Sequence, residues 1–171
     1  HQAIQRRQDN RSAPLSFDQQ RLWFVNQLQP DSSVYNEASS IRLHGDVDRE
    51  IVKLALSALV ERHEILRTTF GTTDGGSLVQ VIGGKQSVDL KIIELGESTR
   101  EAQAEELQRV IVGLTEQPID LSRDPMLRAV LVRLAENDHA LAVIIHRIAF
   151  DDWSSELLWH EFATLYSAFS K

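Results

Sequence analysis

The stretch Ala-Leu-Ala-Val-Ile-Ile-His-Arg-Ile-Ala-Phe-Asp-Asp-Trp-Ser, from Ala140 to Ser154, limits most strongly what this chain can fold into. Six apolar residues run without alternation up to His146, the pattern of a strand covered on both faces. His146, Arg147, Asp151 and Asp152 then crowd its end. An unpaired charge in such a place is costly to desolvate, so the cluster is either a functional site or a structural ion-pair network. Both readings stand at this point.

Composition narrows the classes. The 171 residues are 42% hydrophobic and 25% charged, which suits one soluble globular domain. There is no cysteine, which removes disulfides, thiolate nucleophiles and zinc–thiolate sites and makes a cytoplasmic setting the simplest expectation. The net charge of −7 disfavours a nucleic-acid partner. No run approaches the length of a membrane span, and the polar start reads as a tether over residues 1–13.

Along the chain, Ser16 and Gln19 form a capping box for a helix to about Leu28, with Phe17, Phe24 and Leu28 along one side and Arg21 and Trp23 available for contacts between elements. Glu37–His44 alternates as a half-exposed strand. Ile51, Leu54, Ala55, Ala58 and Leu59 recur at helical spacing between Asp48 and His63. The segment Arg62–Phe70 reads as a helix end passing directly into a strand. A Thr-Asp-Gly-Gly turn at 73–76 joins that strand to Leu78–Ile82, and another strand follows over Val88–Ile93. Ser98 and Glu101 suggest a second capping box before a helix through Leu107, Ile111 and Leu114. Met126–Leu134 and Ala140–Ile148 form a central antiparallel hairpin, and Ser154 caps a last helix. Strands interleaved with helices indicate an α+β or α/β layer.

His44, His139 and His160 lack ligand spacing and read as solvated surface residues. Neither His63-Glu64 nor His160-Glu161 has a second histidine four residues on, so no metal is expected. No phosphate loop or dinucleotide fingerprint is present, and no cofactor is expected.

Four segments, Leu15–Phe24 (with Arg21 and Trp23), Arg62–Phe70 (with Arg62, His63 and Arg67), Pro118–Arg128 and His146–Ser154, resemble in order and spacing the condensation domains of nonribosomal peptide synthetases. The resemblance implies an α+β sandwich of chloramphenicol-acetyltransferase type, a mixed but mostly antiparallel sheet with helices packed on it. Residues 14–171 correspond to the N-terminal lobe, with the C-terminal lobe of the same domain as a partner outside this chain.

In that family the motif HHxxxDG lies in a tunnel between two lobes, and its second histidine works on the attacking amine. Here Arg147 takes that place, and a guanidinium has no lone pair to offer. Asp152 takes the place of the glycine. Arg147 is expected to pair with Asp151, Asp152 or both, His146 and Asp151 to shape the loop, and Arg67 to serve as a structural ion-pair partner. No catalytic residue is expected to be active.

The pattern HRxxxDD, carried by His146, Arg147 and Asp152, is similar to that of the X domain of glycopeptide-antibiotic synthetases. That similarity implies recruitment of cytochrome P-450 oxygenases to a peptide held by the neighbouring carrier protein. The alternatives are an active condensation domain, and an interface-type domain that docks a non-haem iron hydroxylase.

Overall fold

A computed structural model describes residues 11–96 and 99–171. In chain order the elements are β1 (Ser12–Pro14), α1 (Phe17–Leu28), β2 (Asn36–His44), α2 (Arg49–Arg62), β3 (Thr68–Thr72), β4 (Leu78–Ile82), β5 (Leu90–Glu94), α3 (Arg100–Thr115), β6 (Leu127–Ala135), β7 (Asp138–His146) and α4 (Asp152–Phe169). They build two sheets. The larger has the order β2-β7-β6-β5, antiparallel except for the β5–β6 pair, and the smaller is β1-β4-β3. The mixed, mostly antiparallel α+β architecture is the expected one.

The unbroken apolar run of β7 is explained by its place inside the larger sheet, where every residue from Ala140 to Ile145 is buried. Leu141, Val143 and Ile145 pack with Val52, Leu56 and Leu59 of α2 and with Leu158 and Phe162 of α4. Ala140 and Ala142 pack on the opposite face with Leu107, Ile111 and Leu114 of α3. Helices on both faces leave no polar stripe along the strand. Each fully buried leucine or valine here is worth roughly 1.5–3 kcal/mol of burial.

Several details depart from the sequence expectations. Ser12 and Ala13 pair with Val81 and Gln80, so the end of the expected tether is strand; residues 1–10 lie outside the described residues. The side of α1 carrying Phe17, Phe24 and Leu28 faces outward, with Phe17 91% exposed, while Leu22 and Asn26 face in. Periodicity finds such a stripe but does not say what covers it. The Ser16/Gln19 box is present, with Gln19 N donating to Ser16 Oγ at 3.2 Å and Ser16 N to Gln19 Oε1 at 2.9 Å.

Thr99 caps α3 by accepting from Ala102 N; Ser98, expected in that role, lies outside the described residues. A 3-10 turn, Glu64–Arg67, separates α2 from β3. His139 is buried rather than solvated, because β7 sits between β2 and β6 and places it opposite Leu43 and Arg133. Its burial pushes its pKa below the ordinary imidazole value.

Candidate functional site

β7 ends on His146, which is 1% exposed. Strand alternation puts it on the face covered by α3, where its ring stands 6.1 Å from that of Tyr35, centre to centre. Its Nδ1 accepts the Ile148 amide at 3.1 Å, which leaves the ring proton on Nε2. Burial pushes its pKa down to about 4, so His146 is neutral near pH 7.

Arg147 begins the turn. Its amide donates to the Tyr35 carbonyl at 2.8 Å, and its half-exposed guanidinium pairs with Glu37. The expected pairing with Asp151 or Asp152 does not form. The reason is register: Glu37 lies opposite Ile145 on the α2–α4 face, within reach of Arg147, while Asp151 is already engaged.

Asp151, rather than Ser154, caps α4, accepting the Ser154 amide at 2.9 Å and its hydroxyl at 2.6 Å. The Ser154 hydroxyl, then its amide, hold the Asp151 carboxyl below the usual range, and Arg147 adds in the same direction. Asp152 stands exposed in the first turn of α4, a favourable end for a negative charge. Neither His146 nor Arg147 offers a lone pair to an incoming amine, since one has its acceptor nitrogen in use and the other has none.

A cleft of about 410 Å³ opens beside this turn, lined by Ser16, Gln19, Arg21, Arg147, Asp151 and Ser154 among others. Arg21 and Arg147 are thus brought to one place. Trp23 instead packs into the small core beside Leu15, Leu22 and Phe70. Arg62 and His63 meet elsewhere: both contact Glu161 of α4, Arg62 Nε at 3.5 Å and His63 Nε2 at 2.6 Å, which ties α2 to the helix that leaves the motif. Arg67 donates to the Gly83 carbonyl and lies 3.8 Å from Glu64, while Gly83 N donates back to Arg67 O at 2.9 Å. A Cβ at residue 83 would stand 2.8 Å from that oxygen, so the approach needs glycine.

Sequence reasoning did not single out Glu37, Glu161 or the seam of Ser39, Ser155 and Trp159. In that seam Trp159 Nε1 donates to Ser39 Oγ at 2.8 Å and the two serine hydroxyls lie 2.8 Å apart, fastening α4 to β2. The alternation of β2 marks Glu37 and Ser39 as one face, but only the pairing of β2 with β7 shows what they meet.

The condensation-domain family matches this chain over residues 9–171. The chain belongs to that family. It is 43% identical over 156 residues to a linear gramicidin synthase of Brevibacillus parabrevis, a stretch that is 91% of this chain and 3% of that synthase. It is 40% identical to phosphinothricin tripeptide synthetase PhsC of Streptomyces viridochromogenes over 97% of this chain and 15% of that protein. The starter condensation domain of the rhizomide synthetase superposes with a TM-score of 0.83 at 25% identity, over 93% of this chain and 39% of that one. This condensation-domain chain therefore spans a small part of each curated relative and about two fifths of that solved domain. Among its described residues no helix is long and apolar enough to cross a membrane.

Proposed function

We propose that this chain is the amino-terminal lobe of a peptide-synthetase domain that no longer condenses and instead docks a cytochrome P-450 oxygenase beside the carrier-bound peptide. The single observation that carries the reading is Arg147: a guanidinium held by Glu37 stands where the family motif has the histidine that works on the amine. Loss of a general base costs about a hundredfold to ten-thousandfold in rate. The match of His146, Arg147 and Asp152 to the X-type pattern supports the choice of partner.

Two measurements test it. The whole domain, supplied with two loaded carrier proteins, forms no peptide, and Arg147→His with Asp152→Gly does not restore formation, because positioning of two tethered groups depends on the entire cleft. Co-migration with candidate oxygenases is retained in the same double variant. Robust peptide formation by the unaltered domain overturns the proposal.

A second reading, condensation driven by positioning alone, is favoured by the open cleft beside Arg147 and by relatives that are named as a synthase and a synthetase. A mutant of the rhizomide starter domain has been solved with C8-CoA, so this fold accommodates an acyl thioester in that protein. Under that reading Arg147→Ala keeps peptide formation close to the unaltered level.

A further inference from the structure

Asn36 opens β2 directly opposite His146, on the face of the sheet that α3 covers. Asn36 is 7% exposed, and its Nδ2 gives both protons to the end of α3, to the carbonyls of Thr115 at 2.9 Å and Gln117 at 2.8 Å. A helix leaves such terminal carbonyls without internal partners. The amide cannot be turned over, because its oxygen would then face two oxygens. Its own oxygen is buried with no donor among the described residues, so the two donations alone set how the side chain lies.

Arg128 reaches the same place from the other side. In β6 it shares the α3 face with Val130 and Val132, and its register partner in β7 is Ile144, one step along that face from His146. Its guanidinium donates to the carbonyl of Gln117 at 2.8 Å and to that of Pro118 at 2.6 Å, and is held in turn by Asp124 at 3.2 Å. The Gln117 oxygen therefore accepts from both neighbours of β7. Since β2 and β6 each run about 4.8 Å from β7, an oxygen shared between them stands over β7 itself, at the level of Ile144 and His146.

We infer that Asn36 and Arg128 are positioning residues for the motif: by closing on one carbonyl from two strands, they clamp the end of α3 over β7 and shut water away from the His146 ring. α3 has no fully buried residue of its own, so its hold on the sheet at this end rests on these donations and on half-covered side chains such as Leu114. Neither Asn36 nor Arg128 lines the cleft beside Arg147, and the clamp therefore acts on the motif from behind. It acts alike whether or not the domain condenses.

The test is a histidine titration by nuclear magnetic resonance on the whole domain. Burial holds the His146 midpoint at about 4. Asn36→Ala and Arg128→Ala each let water in and move it above about 5, toward the ordinary imidazole value. Glu161→Ala, which loosens the opposite face of the sheet, leaves it where it was and so separates the clamp from a general loss of stability. An unmoved midpoint in either folded alanine variant overturns the inference, and so does an equal rise in Glu161→Ala. If neither alanine variant folds, the unaltered domain decides: Asn36 side-chain amide protons that exchange roughly tenfold more slowly than those of exposed Asn137 support the clamp, and equal rates end it.

Discussion

His146 and Arg147 share a peptide bond yet project to opposite faces of the same sheet. His146 turns toward α3, is 1% exposed and is neutral; Arg147 turns toward Glu37, is half exposed and is charged. The difference separates two jobs that a motif written as letters runs together. The first residue builds the turn, through its hydrogen bond to Ile148, and the second is presented to the cleft. A change at the first should be read in stability, and a change at the second in binding or chemistry.

The sharpest way to break this contrast is His146→Ala. It removes a buried ring and leaves the Ile148 amide without its acceptor, for an expected loss of about 2–4 kcal/mol in denaturant unfolding. An unfolding midpoint close to that of the unaltered protein would end the assignment.

Acid is the next probe. The unfolded histidine takes up its proton near pH 6.5 and the folded one only near 4, so between these values the unfolded state holds more protons and stability falls as pH falls. The loss approaches roughly 3 kcal/mol by pH 4, flattens below it for this group, and is largely absent in an asparagine variant at 146. A pH profile of unfolding that does not distinguish the two proteins contradicts the buried neutral state.

Glu161→Ala disconnects His63 and Arg62 from α4 together, at an expected cost of about 1–2 kcal/mol. Thermal melting measures it, and a double variant with His63→Ala should cost less than the sum of the two single losses. Arg147→Ala is the smallest effect, under about 1 kcal/mol, because a partly exposed ion pair is screened by solvent. A loss at Arg147 as large as that at His146 would erase the contrast.

Much of the fold was legible because each burial pattern has a single cheap solution. An unalternating run such as Ala140–Ile145 has to be covered on both sides, and the α2 stripe has to lie on a sheet. What stayed hidden depends on pairing. Nothing local says that Glu37 faces Ile145 or that His139 is enclosed by Leu43 and Arg133; those facts exist only once β2, β7 and β6 are in register. The cap of α4 lies three residues before the expected one because serine and aspartate compete for the same role, and Asp151 takes it with Ser154 as donor. The outward stripe of α1 shows a different limit: the sequence places Phe17, Phe24 and Leu28 along one side of the helix but does not say whether that side is covered.

The bond between Arg147 and Glu37 spans 110 residues of chain. Closing so long a loop carries a large entropic cost before any contact rewards it, and contacts of this range slow folding. The β6–β7 hairpin and the β3–β4 hairpin are local and can form without it. Docking of β2 onto β7 is then the event that completes the turn, so the motif is among the last parts of the molecule to acquire its shape. During synthesis, an incomplete chain that ends before β7 holds β2 without its neighbour, and the nine-residue edge it exposes is the segment most open to mispairing with another nascent copy.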